Sequence, residues 1–165
     1  MPIEKLEKQE LFALLSPNEM KRLSAVSGVS QLSEGDRVYS EGVPASHLFV
    51  LIKGRVELKR PTRGGPNLLV DDLLPGSLFG VSSLMGADRY SLHAECVESS
   101  EVLKIEGKAL RKILDDNPVV GYAVQRRVSQ IFFRRYLNAM ERLQTVIQAI
   151  PMRTASGAGP GQPGA

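Results

Sequence analysis

The spacing of apolar residues changes twice along the chain, and the changes divide it into three parts. Leu6, Leu11, Leu14 and Leu15 lie near helical spacing among Glu and Lys, which predicts an opening helical stretch. Ser16-Pro17-Asn18-Glu19 predicts a fresh helix start: Ser16 caps, Pro17 suits the first helical position, and Glu19 completes a capping box. Met20, Leu23 and Val26 are the expected buried stripe, with Gly28 ending the helix.

From Val29 to Ile105 the period shortens. Apolar runs at 37–39, 48–52, 56–58, 68–70, 91–94 and 102–105 alternate with Gly and Pro at 35, 42, 44, 54, 64, 65, 66, 75 and 76. Short strands so punctuated predict an antiparallel sandwich or barrel. After Gly107 the helical period returns with Leu110, Ile113 and Leu114. Asn117-Pro118 stops that helix and starts another, expected to run to about Ile150. Its first half carries the stripe Val120, Val124, Val128, Ile131 and Phe132, read as packing on the barrel or as the near end of a dimer contact. Its second half carries Tyr136, Met140, Leu143, Ile147 and Ile150, spaced 4, 3, 4, 3 as in the seam of a coiled coil. The expected division is therefore helices over 1–28, strands over 29–106, helices over 107–150, and a Gly/Pro/Ala/Ser tail over 151–165 that cannot bury a core and is expected to be disordered.

At 165 residues the chain has room for one sizeable core. No apolar run is long enough to span a membrane, and the first residues lack the apolar segment of a signal peptide. A single cysteine, Cys96, excludes an internal disulfide and a Cys-cluster metal site, so a cytoplasmic setting is expected. Trp is absent and aromatics are only 5 %, which argues against a stacking platform for single strands of nucleic acid. The net charge of +3 is uneven: residues 118–165 hold six arginines and one acid. Arg126, Arg127, Arg134 and Arg135 flank the apolar stripe without interrupting it, a pattern suited to pairing across a dimer or to binding an acidic partner. No Gly-rich phosphate loop, nucleophile elbow or paired-carboxylate site marks an enzyme. His47, at the edge of the most apolar strand, reads as structural, and no metal is expected.

The order of helices, glycine-punctuated strands and a long helix resembles the cyclic nucleotide-binding domain of the catabolite-activator type. The stretch from Leu32 to Val56, with Gly42 and Gly54 at turn positions, is similar to that family's early strands. Leu74-Pro75-Gly76-Ser77-Leu78-Phe79-Gly80 resembles the strand entering the phosphate-binding cassette, and residues 101–105 resemble the closing strand. The resemblance implies an α+β fold: an antiparallel β jelly-roll barrel flanked by short N-terminal helices and a long C-terminal one. It implies a ligand site over Phe79, Gly80, Val81, Ser82, Ser83, Arg89, Tyr90 and Ser91. It also implies that an acid after Phe-Gly binds the ribose and that an arginine about nine residues later binds the phosphate.

Two departures stand at those places. Val81 occupies the acidic position, and Tyr90 the arginine position, with Arg89 one residue early. A one-residue slip in a strand turns a side chain to the opposite face, although near a loop Arg89 could still reach the pocket. Each charge-assisted bond contributes about 1.5–3 kcal/mol, so ordinary cAMP or cGMP binding is expected to be weakened or lost. The family's iron–sulfur variants place cysteines near the N-terminus, and none precedes Cys96 here; His93 sits in an expected strand, not as a haem ligand. The DNA-reading members continue past the long helix into a helix-turn-helix, whereas here Gly and Pro follow, so no specific DNA binding is expected. The expectation is a non-enzymatic regulatory module, homodimeric through Ile131, Tyr136, Met140, Leu143, Ile147 and Ile150. It would act as a scaffold for an unknown signalling protein. The alternative is a sensor with altered chemistry, binding cAMP, cGMP or a cyclic dinucleotide and signalling to a separate partner.

Overall fold

A computed structural model describes residues 2–150. The expected loose tail over 151–165 lies outside the described residues. The opening helical stretch is split into α1 (Pro2–Glu7), a 3-10 turn at Glu10–Phe12 and α2 (Pro17–Ala25). The break lets Leu6 and Phe12 both bury completely, while Leu14 is left exposed. The capping box forms as the sequence predicts: Glu19 N–H donates to Ser16 Oγ at 3.3 Å, and Ser16 N–H donates to Glu19 Oε2 at 2.8 Å. Gly28 does not end this helix. Val26 N–H closes it onto Leu23 O, and Gly28 lies inside the first strand opposite Lys104.

The eight strands are β1 (Ser27–Leu32), β2 (Arg37–Tyr39), β3 (His47–Lys53), β4 (Val56–Arg60), β5 (Leu68–Leu73), β6 (Leu78–Phe79), β7 (His93–Cys96) and β8 (Ser100–Glu106). They form two four-stranded antiparallel sheets, ordered β1-β8-β3-β6 and β2-β7-β4-β5; the strand pattern left a sandwich or a barrel open, and the two separate sheets are the layered arrangement. Three connected layers result. Leu48, Val50, Leu103 and Ile105 point from the first sheet toward the helices, where they join Leu6, Phe12 and Leu23 in one core cluster. Phe49, Leu51, Phe79 and Val102 point the other way and meet Tyr39, Val56, Leu58 and Leu73 of the second sheet. The first sheet is therefore covered on both faces, so β3 reads as an unbroken apolar run. The outer face of the second sheet is polar, with Lys59 reaching Glu57 at 3.0 Å and Glu95 at 3.1 Å.

α3 (Gly107–Asp116) buries Leu110, Ile113 and Leu114, as its spacing predicts. α4 (Pro118–Ala149) follows directly, with Pro118 in its first turn and Asn117 Oδ1 accepting from Val120 N–H at 3.4 Å. At 1.5 Å per residue its 32 residues span about 48 Å. Val120, Val124 and Val128 are buried on the helical core, and Ile131 packs against the same cluster. Phe132 is exposed, as are Tyr136, Met140, Leu143, Ile147 and Ile150 farther along. The far half of α4 is attached to β5 of the second sheet and β6 of the first mainly by arginines. Arg135 Nε–H donates to Asp71 Oδ2 at 2.7 Å, and its Nη2 donates to Leu78 O. Arg142 Nη1 donates to Val70 O at 2.8 Å and Leu69 O at 3.2 Å, on the edge strand β5.

Candidate functional site

β6 ends at a sharp turn. Gly80 has φ +69°, and a Cβ there would stand 2.7 Å from Phe49 Cδ2 and 3.1 Å from His47 O. Only glycine suits a left-handed residue pressed so close to a core ring. The turn leads into a 3-10 segment, Val81–Ser83, and a loop that returns to Tyr90. Within it the amides of Leu84, Met85 and Ala87 donate to carbonyls of Val81 and Ser82, so they stabilise the turn itself.

The returning chain pairs with the segment before β3. Tyr90 N–H donates to Val43 O at 3.0 Å, Gly42 N–H to Tyr90 O at 2.9 Å, and Pro44 bridges Arg89. This pairing fixes the alternation of side chains. Tyr90 points inward and is buried; Arg89 points outward, is exposed, and donates through Nη1 to Gly42 O. The possibility that Arg89 reaches the pocket is thus corrected: the short ladder holds it on the opposite face. Tyr90 stacks on Tyr39 with ring centroids 4.0 Å apart. Its hydroxyl donates to His47 O at 2.7 Å and accepts from His47 N–H at 3.0 Å. Burial pushes the Tyr39 phenol well above its ordinary range and raises that of Tyr90, so both are neutral.

A cleft of about 280 Å³ opens between this turn, the second sheet and α4. Of the residues the sequence assigned to a ligand, Gly80, Val81, Ser82, Tyr90 and Ser91 border it. Phe79, Ser83 and Arg89 do not. Phe79 is fully buried between the sheets. Ser83 is buried, donates through Oγ to Gly80 O at 3.1 Å, and sits under Gly107. Arg111 Nη2 donates to Ser83 O at 2.6 Å, joining α3 to the turn. The rest of the wall was not foreseen: Tyr39, Leu58, Val70 and Leu92 from the strands, and Phe132, Arg135 and Ala139 from α4. Tyr136, assigned to the dimer seam, borders the cleft as well. Arg135 is the single charged side chain among the described residues lining it.

The four arginines proposed for an acidic partner divide accordingly. Arg135 is turned onto its own sheet, and Arg127 lies 3.6 Å from Glu10. Arg126 and Arg134 are exposed on α4. Among the described residues there is no cluster of metal-ligating side chains and no helix long and apolar enough to cross a membrane. Cys96 is buried, and that burial raises its thiol.

A family model of the cyclic nucleotide-binding domain matches residues 29–117, a span running from β1 through α3 and including the turn at Gly80. The chain is 22 % identical over 142 residues to a CRP-like cAMP-activated global transcriptional regulator of Mycobacterium tuberculosis, covering 86 % of this chain and 63 % of that protein. It is 28 % identical over 103 residues to the global nitrogen regulator of Synechococcus elongatus, covering 61 % of this chain and 46 % of that one. The chain thus matches between about half and two thirds of the length of these regulators. Among solved structures, the sensor domain of the transcriptional regulator DNR from Pseudomonas aeruginosa superposes with a TM-score of 0.70 at 26 % identity, covering 92 % of this chain and 94 % of that one.

Proposed function

The chain belongs to the cyclic nucleotide-binding domain family, and from that membership we propose a non-enzymatic regulatory module, dimeric through α4, whose site for ordinary cAMP or cGMP is weakened or lost. The observation that carries the reading is the alternation at the end of the cassette: Arg89 faces outward and a neutral Tyr90 fills the inward position. Val81, moreover, offers no carboxylate. Two missing charge-assisted bonds at about 1.5–3 kcal/mol each lower affinity by roughly a hundredfold or more. Titration calorimetry is therefore expected to give dissociation constants of about 0.1 mM or weaker for cAMP and cGMP. Micromolar binding of either would refute the weakened site.

The dimer rests on the apolar seam. Tyr136, Met140, Leu143, Ile147 and Ile150 repeat on one side of α4 and are each at least 42 % exposed in the single chain. Light scattering after size exclusion is expected to give twice the chain mass at micromolar concentration, and Leu143→Glu to reduce it to one. A monomeric wild type removes the dimer from this reading. Arg126 and Arg134, beside the seam, are the arginines best placed for an acidic signalling partner.

A second reading, a sensor of altered ligand chemistry that signals to a separate protein, is favoured by one observation. The cleft keeps a cation, Arg135, although it comes from α4 and not from the cassette.

A further inference from the structure

A groove separates α4 from the N-terminal segment around the 3-10 turn at Glu10–Phe12. It consists of two hollows of about 530 Å³ and 230 Å³, which meet because Glu10, Leu11 and Arg127 border both. Along α4 it reaches from Ala123 to Asn138, about 22 Å at 1.5 Å per residue. An extended chain of about seven residues has that length. Among the described residues, Arg135 is the single one that the groove shares with the cassette cleft. Arg127, Arg134 and Asn138 lie roughly half a turn around the helix from Tyr136, Met140 and Leu143. A dimer through the apolar seam therefore leaves the groove open.

The groove has more cations than acids. Asp71 is held by Arg135 at 2.7 Å and Asp72 by Arg55 at 2.6 Å. Glu10 lies 3.6 Å from Arg127, in a loose and exposed pair. Lys8, Arg126 and Arg134 border the groove, are exposed, and have no anionic partner among the described residues. The two walls differ. α4 presents the arginines, whereas the N-terminal wall presents Leu11 and a Leu14 that is 62 % exposed. In an extended chain successive side chains point to opposite sides. A segment in which acidic and apolar residues alternate would therefore turn its carboxylates to α4 and its apolar groups to the leucines. A nucleic acid strand would set phosphates against Glu10 and leave the leucines uncovered. A purely apolar segment would bury the unpaired cations.

We propose that this groove docks an extended segment of another protein, about seven residues long, in which acidic and apolar side chains alternate. The proposal rests on the reading that the α4 arginines face an acidic signalling partner, and it gives that contact a place and a pattern. Arg126 and Arg134 hold carboxylates, Leu11 and Leu14 hold apolar side chains, and Glu10 competes with the segment for Arg127.

The test is fluorescence anisotropy on the full chain, with the labelled peptide Glu-Leu-Asp-Leu-Glu-Leu-Asp as probe. Wild type is expected to bind it about tenfold or more tightly than Gln-Leu-Asn-Leu-Gln-Leu-Asn or Glu-Gly-Asp-Gly-Glu-Gly-Asp. Arg126→Gln combined with Arg134→Gln should lose about tenfold, and Leu14→Ser about threefold. Glu10→Gln, which removes the competitor, should tighten the peptide severalfold, and Leu143→Glu should leave it unchanged. Equal binding of the acidic and amide peptides, or of wild type and the double arginine variant, overturns the proposal. So does equal competition by a thymidine heptanucleotide, which would make the surface a general polyanion site. Loss of binding in Leu143→Glu places the peptide on the seam and overturns the groove. If the double arginine variant loses binding while Leu14→Ser and Glu10→Gln behave as wild type, the groove falls and an acidic partner stands. Failure of every peptide to bind wild type overturns both. All the substituted side chains are exposed, and thermal melts check that each variant is folded.

Discussion

Phe79→Ala is expected to destabilise the fold by about 3–5 kcal/mol, the range for truncating a fully buried aromatic. Phe79 has no exposed surface and stacks on Phe49 with centroids 5.4 Å apart, and it lies 6.1 Å from Tyr39. These rings come from both sheets, so the hole left by alanine would lie where the two layers meet. A domain of this size has a total stability of about 5–15 kcal/mol, so the loss is a large fraction of the whole. The measurement is a urea titration: the midpoint should fall with little change in slope. A loss under about 1 kcal/mol would mean that the rings close over the gap, and that the contact between sheets is softer than its packing indicates.

Gly80→Val is the second large effect, and it acts on the site directly. The backbone there has φ +69°, a conformation that costs an L residue about 1–2 kcal/mol and a β-branched one more. The new Cβ also meets the Phe49 ring at 2.7 Å, and overpacking of that kind adds about 1–3 kcal/mol. The sum is roughly 2–5 kcal/mol. Gly86 supplies the control: its φ is +75°, but a Cβ there meets nothing within 4 Å. Gly86→Val should therefore cost only the backbone part. If the two variants melt together, the collision with Phe49 contributes nothing and the turn is free to move away from β3.

The features that could be read from the sequence were those set by near neighbours or by strand parity. The capping box at Ser16 involves residues three apart. The outward turn of Arg89 follows from alternation once Tyr90 is placed inside. β3 was legible because both of its faces are buried. β1 was missed because Ser-Gly-Val-Ser-Gln-Leu has little apolar content, and its position comes from six pairings with β8. β6, two residues long, is too short to show a period. The seam in α4 was visible as spacing, but Tyr136 belongs to the cleft wall as well, a fact that spacing along one helix does not contain. The role of Arg135 was hidden for the same reason. Its partner Asp71 lies 64 residues away and meets it only because α4 crosses β5. Ser83 was misassigned since a serine in a turn reads as available, whereas the close approach of Gly107 presses it inward.

The length of α4 has a mechanical consequence. Its near end is set against the core by Val120, Val124 and Val128, and its far end extends to Ala149, about 48 Å from the start. A rigid rod of that length pivoting at Asn117 is a lever arm. A tilt of about 10° would carry its tip through about 8 Å, more than one full helical pitch, while moving the first buried turn by about 1 Å. Phe132 and Arg135, which border the cleft, would move by about 4–5 Å in the same tilt, so a displacement beside the cassette is roughly doubled at the tip, where a second molecule could sense it.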